Sequence, residues 1–157
     1  MATEIERKFL VNDKFSSALA SDSERITQGY LSSAPERSVR IRIKGKNGFL
    51  TVKGPVNETG TSRFEWEKVI PVPEALELLD LCEPGAIDKT RFLVPAGPHT
   101  YEVDVFHGDN DGLIVAEVEL RREDEDFEKP DWLAEEVTGD KRYYNSQLAR
   151  KPFKDWD

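Results

Sequence analysis

One cysteine, Cys82, in 157 residues removes two options at once. No disulfide can form within the chain, and no thiolate zinc site can be assembled. Cys82 is expected to be a small buried hydrophobe on a helix. Histidine is almost as scarce. His99 and His107 are eight positions apart near turns, without the spacing of a metal pair or a catalytic triad, and are expected on the surface or in packing. No P-loop, no G-x-G-x-x-G and no convincing covalent nucleophile is present. No apolar run is long enough to cross a bilayer, and the first residues open a charged segment instead of a signal peptide. A cytoplasmic protein with no membrane partner is the expectation. Basic charge is also short: 22 Lys and Arg against 31 Asp and Glu leave a net charge of −9. That excludes the basic surface that duplex nucleic acid requires. It leaves a phosphate ligand open, because bound divalent cations would invert the local sign.

The length of 157 residues suits one domain, 1–157, with a real core. Strands are expected over residues 3–10, 25–31, 39–44, 49–53, 63–70, 87–94, 100–106 and 113–121. Gly45-Lys46-Asn47-Gly48 reads as a hairpin turn, and 54–62, with Pro, Asn and Gly, as a mobile loop. Asn12 or Asp13 caps a short helix to about residue 20. Pro73 opens a helix over 74–82 with Ala75, Leu76 and Leu79 on one side. The stretch 122–128 is acidic and solvated. Short helices close the chain near 131–137 and 141–149. Short turns between strands make the sheet largely antiparallel.

Charge is what the chain has in excess, and it alternates. Glu4-Ile5-Glu6, Glu65-Trp66-Glu67, Glu102-Val103-Asp104 and Glu117-Val118-Glu119 carry acids at a spacing of two; Arg40-Ile41-Arg42 and Lys89-Thr90-Arg91 carry cations. In a strand, i and i+2 share a face. Each segment therefore has a charged face and an apolar one, sorted by sign. Two carboxylates so placed lie about 7 Å apart at Cβ. At an effective dielectric of about 20 their repulsion is roughly 2 kcal/mol per pair. A solvated sheet face would mix in neutral polar residues. Closing the sheet instead makes a barrel with a polar lumen, where carboxylates hold Mg²⁺ or Mn²⁺ and cations grip phosphate oxygens. That arrangement suits phosphoryl transfer by metal-activated water.

Glu4-Ile5-Glu6-Arg7-Lys8 resembles the E-x-E-x-K signature of the CYTH superfamily, the triphosphate tunnel metalloenzymes. The features that follow also resemble that family, in order: Gln28-Gly29-Tyr30-Leu31, Val39-Arg40-Ile41-Arg42, Thr51-Val52-Lys53-Gly54, Phe64-Glu65-Trp66-Glu67, Lys89-Thr90-Arg91, Tyr101 to Phe106, Ala116 to Glu119, and the close through Thr138-Gly139-Asp140 and Arg142-Tyr143-Tyr144-Asn145. The resemblance implies a closed, eight-stranded antiparallel barrel with short helices outside. It implies one or two divalent ions, Mg²⁺ or Mn²⁺, on Glu4, Glu6, Glu117 and Glu119. Glu65, Glu67, Glu102 and Asp104 would add ligands or brace the cations. Lys8, Arg40, Arg42, Lys53, Lys89 and Arg91 would hold phosphates, with Arg63 and Tyr30 as weaker candidates. Glu4, Glu6, Lys8, Glu117 and Glu119 would carry catalysis. Arg7, on the opposite face, is left out, as are Glu24, Asp88, Glu123 and Asp126. Hydrolysis of a triphosphate is expected, tripolyphosphate first. Thiamine or nucleoside triphosphate hydrolysis, class IV adenylate cyclisation and a non-catalytic polyphosphate-binding module are the alternatives. The apolar outer faces leave room for a homodimer.

Overall fold

The structure, a computed structural model, describes residues 3–156. Nine strands form its sheet: β1 Thr3–Val11, β2 Asp22–Ser32, β3 Ser38–Lys44, β4 Asn47–Val56, β5 Ser62–Ile70, β6 Ile87–Ala96, β7 His99–Phe106, β8 Ile114–Glu119 and β9 Leu133–Glu136. The order is β5-β4-β3-β2-β6-β7-β8-β1-β9, and β5 also pairs β1. That last pairing, Glu4 opposite Arg63 and Ile5 opposite Ser62, closes an eight-stranded antiparallel barrel. The expected tunnel architecture is therefore present, with one strand more than expected.

The extra strand is β9, where the sequence favoured a helix. Leu133-Ala134-Glu135-Glu136 is a good helix-forming run, but tertiary pairing overrides it. Phe9 lies opposite Glu136 and Val11 opposite Leu133. The Val137 amide donates to the Lys8 carbonyl at 2.8 Å, and Arg7 grips Glu136 with a forked pair at 2.5 and 2.7 Å. The helix expected after Asn12 also fails to form. Asn12 spends its side-chain oxygen on the Lys14 amide, and Ser16 caps only one 3-10 turn, Ser17–Leu19. Side-chain bonds of this kind compete with helix formation.

The β3–β4 turn is tighter than the four residues expected. Lys44 pairs Asn47, so Gly45-Lys46 alone make the turn. Gly45 has φ +59, which fits the glycine-first hairpin type. Strand β4 continues to Val56, leaving only 57–61 as loop. The mobile loop expected there is tied down. Asn57 accepts the Thr61 and Ser62 amides at 3.0 and 3.1 Å, and Glu123 accepts from Asn57, Thr59 and Thr61.

One edge of β1 is shared by β5 at its start and β9 at its end. Gly60 and Gly139 meet at the seam between them. A Cβ on Gly60 would stand 2.4 Å from the Gly139 Cα, and φ is +78 and +81 at the two residues.

Two apolar clusters frame the barrel. Outside β1, β7 and β8, Phe9, Tyr101, Val103, Ala116 and Val118 are buried under Trp132, Phe15 and Phe127. Irregular segments cover this face, not helices. The second cluster contains Ile87, Phe106 and Val115 with Leu148, Val137 and Tyr143, and Leu10 packs on it. Leu10, Ile87, Phe106 and Val115 continue the lumen-facing series of β1, β6, β7 and β8, so they floor the barrel. Helix α2, Asn145–Arg150, lays Leu148 against that floor.

Helix α1, Val72–Leu79, packs over β2, β3 and β4 and ends short of Cys82. Ala75 is its buried residue; Leu76, expected inside, is 53% exposed. Cys82 lies just past the helix, half-buried, with its thiol 3.4 Å from the Leu78 carbonyl. No helix among the described residues is long and apolar enough to cross a membrane.

Gly60→Ala should lower unfolding free energy by more than about 2 kcal/mol, since a left-handed residue would gain a clashing methyl group. Urea unfolding checks this; an unchanged midpoint would contradict the seam contact.

Candidate functional site

The strands turn their charged faces inward. A cavity of about 220 Å³ is lined by Glu4, Glu6, Lys8, Arg40, Arg42, Lys53, Arg63, Glu65, Glu67, Lys89, Arg91, Glu102, Glu117 and Glu119. Every site residue expected from the sequence except Asp104 is on that wall. Asp104 sits behind it, 1% exposed. The excluded Arg7 does face outward, paired to Glu136. Asp88 pairs with Arg25 at 2.6 Å outside the lumen, and Glu123 serves the 57–61 loop.

The cations lie deep. Lys89 is fully buried, and Lys8, Arg40, Arg42 and Arg91 are nearly so. Asp104 anchors two of them. Its carboxylate accepts a forked pair from Arg91 at 2.8 and 3.0 Å and the Lys89 ammonium at 2.7 Å. Burial alone would raise its pKa; Arg91 and Lys89 outweigh burial and bring it down to about 2. With its oxygens taken up this way, Asp104 braces cations. Of the two roles expected for it, further ligand or brace, the contacts favour the brace.

Burial, then the neighbouring Arg91 and Arg42, lowers Lys89 to about 7, against the pull of Asp104. Burial and then Arg40 and Arg91 lower Arg42 to about 9. Like charges are thus held together at a cost. Arg40 bonds Thr51 at 3.2 Å and lies 3.7 Å from Glu67, but its buried Nε has no partner among the described residues. A buried guanidinium donor without an acceptor is a place for an anionic ligand.

The carboxylates form a shallower tier. Glu4 accepts the Lys53 ammonium at 2.9 and 3.1 Å and lies 3.6 Å from Arg63. Burial raises its pKa, but Lys53 and Arg63 outweigh that and leave it lowered. Glu65 approaches Lys53 at 3.4 Å, and Glu102 approaches Arg91 at 3.3 Å. Glu6 and Glu117 crowd each other. Burial, then Glu117 and Glu4, push the Glu6 carboxyl well up, while Lys8 and Glu6 hold Glu117 well down against burial. Burial, with Glu4 and Glu102, also raises Glu119.

Two adjacent carboxyls that repel each other mark a position that a divalent cation suits. Among the described residues no three acidic or imidazole groups stand close enough to cage an ion by themselves. A divalent ion can be held by one or two carboxylates, with phosphates and water completing its shell. Glu6 and Glu117 are the pair placed for it.

Thr51, Tyr144 and Asn145 line the cavity without a role assigned from sequence, and Gln28 stands behind it on Arg42 and Asn145. Gln28 and Thr51 lie on lumen-facing strand positions, and a search for neutral polar residues among the charged ones would have found them. Tyr144 and Asn145 arrive from the irregular C-terminal segment, where no periodicity marks a face. Tyr144 stands 5.6 Å from the Lys8 ammonium and 5.9 Å from the Arg63 guanidinium, measured to its ring centroid. Both histidines serve packing: His107 bonds Thr90 at 2.7 Å and His99 bonds Glu125 at 2.6 Å.

A CYTH domain model matches residues 2–150. The chain belongs to the CYTH domain family. An inorganic triphosphatase of Acetivibrio thermocellus is 46% identical over 157 residues, covering 99% of both chains. One of Nitrosomonas europaea is 40% identical over 156 residues, covering 94% of this chain and 97% of that one. The crystal structure of the inorganic triphosphatase NE1496 superposes with a TM-score of 0.67 at 36% identity, covering 95% of each. The CYTH tunnel accounts for the inward turn of the charged faces, since a closed barrel gives each strand one face inside and one out.

Replacing Glu6→Gln should raise the melting temperature of the metal-free CYTH domain near neutral pH. A carboxyl whose pKa is raised in the fold destabilises as pH climbs above its unfolded value, because the native state binds more protons. Glutamine mimics the protonated form, so the gain should fade by about pH 4. Melting curves across pH check it; a loss of stability at neutral pH would contradict the crowding.

Proposed function

We propose that this CYTH domain, spanning 1–157, hydrolyses inorganic tripolyphosphate to pyrophosphate and phosphate with the aid of Mg²⁺ or Mn²⁺. The observation that carries the reading is the unspent hydrogen-bonding capacity of buried cations, above all the Arg40 Nε. The similarity to inorganic triphosphatases at 46% and 40% identity supports it. So does the lining, which offers phosphate-binding side chains and little for a base or a thiazole.

In this reading Arg40, Arg42, Arg91, Lys53 and Lys8 spread along the chain of three phosphates. Arg63 and Lys89 complete the grip. Guanidiniums make forked contacts, and fixed geometry replaces the reorganisation that water would require. Glu6 and Glu117 would hold the divalent ion, which when bound would supply Lewis-acid charge and make water more acidic. Glu4, Glu65, Glu67 and Glu102 keep the cations aimed. Glu119 orients the attacking water and takes its proton at a carboxylate oxygen. The water oxygen bonds to the terminal phosphorus, the bridging P–O bond breaks, and pyrophosphate leaves with the electron pair. Lys8 and the arginines offset the charge that develops on the leaving oxygens.

A phosphate-release panel on tripolyphosphate, pyrophosphate, ATP and thiamine triphosphate, with each metal, tests the reading. Tripolyphosphate should be preferred. Cyclic AMP from ATP would replace hydrolysis with cyclisation, and tight binding without phosphate release would make the protein a binding module. Glu119→Gln should lower turnover roughly 100-fold or more with the fold intact. Arg40→Ala should raise KM for tripolyphosphate at least about tenfold with little change in melting temperature. Unchanged constants in either variant would remove that residue from its role.

A further inference from the structure

We propose that Gln28 and Asn145 form an amide relay that positions Arg42 and Lys89 for the substrate, which makes the C-terminal segment part of the binding machinery. This rests on the triphosphatase reading above. The Asn145 side-chain oxygen accepts two donors, the Lys89 ammonium at 2.9 Å and Gln28 Nε2 at 3.1 Å. The Gln28 oxygen accepts Arg42 Nε at 2.8 Å. Gln28 and Lys89 are fully buried.

Lysine and arginine are donors only. They therefore fix the orientation of both amides: oxygen toward each cation, with the Gln28 nitrogen left for Asn145. The chain Arg42–Gln28–Asn145–Lys89 is consistent in one direction alone.

The neutrality of the relay matters. Among the described residues Arg42 makes no salt bridge, so Gln28 aims its guanidinium without cancelling its charge. Its terminal nitrogens remain available for a forked grip on phosphate. Lys89 places one N–H on Asp104 and another on Asn145, which leaves a third for a ligand. A carboxylate in either amide position would have spent that charge.

Asn145 opens α2, which follows β9 and packs Leu148 on the barrel floor. A purely structural role for Asn145 would be to pin that helix. Leu148 pins it too, without touching a cation, and so separates the two roles.

Tripolyphosphate hydrolysis with Mg²⁺ and thermal melting should be compared for wild type, Asn145→Leu, Gln28→Leu, the double variant and Leu148→Ala. Each amide variant should lose roughly tenfold or more in kcat/KM, mainly through KM. The double variant should be no worse than the worse single one, because the two act in series. Leu148→Ala should melt at a lower temperature than either amide variant, yet keep kcat/KM within about threefold of wild type. Amide variants within about twofold of wild type, losses that multiply independently, or an equal loss in Leu148→Ala would each overturn the relay. If Gln28→Leu does not fold, the contrast between Asn145→Leu and Leu148→Ala decides alone. Wild-type turnover tests the triphosphatase reading separately. If it is absent, the same ratios are read as Kd for tripolyphosphate by calorimetry.

Discussion

A single buried carboxylate, Asp104, holds the deepest cations of the lumen together. Lys89 and Arg91 share one face of β6, and the Asp104 oxygens accept from both at 2.7 to 3.0 Å. Removing one partner from such a cluster typically costs about 3–5 kcal/mol, because the remaining charges stay buried and unpaired. Everything shallower depends on this anchoring. Arg42 stacks next to those cations, Lys8 and Lys53 sit between them and the acidic tier, and each is positioned by a neighbouring oxygen.

The architecture follows from that constraint. Like charges on an open sheet face repel, and β3, β6, β7 and β8 each carry charge of one sign on their inner face. Barrel closure brings cations from β3, β4 and β6 opposite carboxylates from β1, β5, β7 and β8. The ion pairs are incomplete by design of the spacing. Lys8 to Glu117 and Arg40 to Glu67 are loose at 3.7 Å, while Arg91 to Asp104 is tight. Loose pairs can open to a polyanion and its metal; tight ones keep the lumen from collapsing. An arrangement that binds by exchanging internal partners for a ligand needs both.

The inner half of this fold was legible because its signal is period two. Glu4 and Glu6, Arg40 and Arg42, Lys89 and Arg91, and Glu117 and Glu119 announce their face by alternation, and the face is the lumen. For Asp104 the family resemblance left two roles open, ligand or brace. It shares its face with Glu102, and only the three-dimensional register, Arg91 opposite Asp104, shows that it is a brace. Residues 133–136 misled because local helix preference lost to the free edge of β1. Asn145 belonged to a stretch resembling the family's close, but its role was not legible, because its position depends on a chain crossing the barrel end. The apolar floor was written into the strands, since Leu10, Ile87, Phe106 and Val115 end the charged series with hydrophobes, but only closure shows that these four meet.

The most direct test is a crystal structure with Mn²⁺ and a non-hydrolysable tripolyphosphate analogue. The account predicts phosphate oxygens at about 2.7–2.9 Å from the guanidiniums of Arg40, Arg42 and Arg91, with anomalous metal density beside Glu6 and Glu117. An analogue bound outside the barrel, with the lumen ion pairs unchanged, would contradict it.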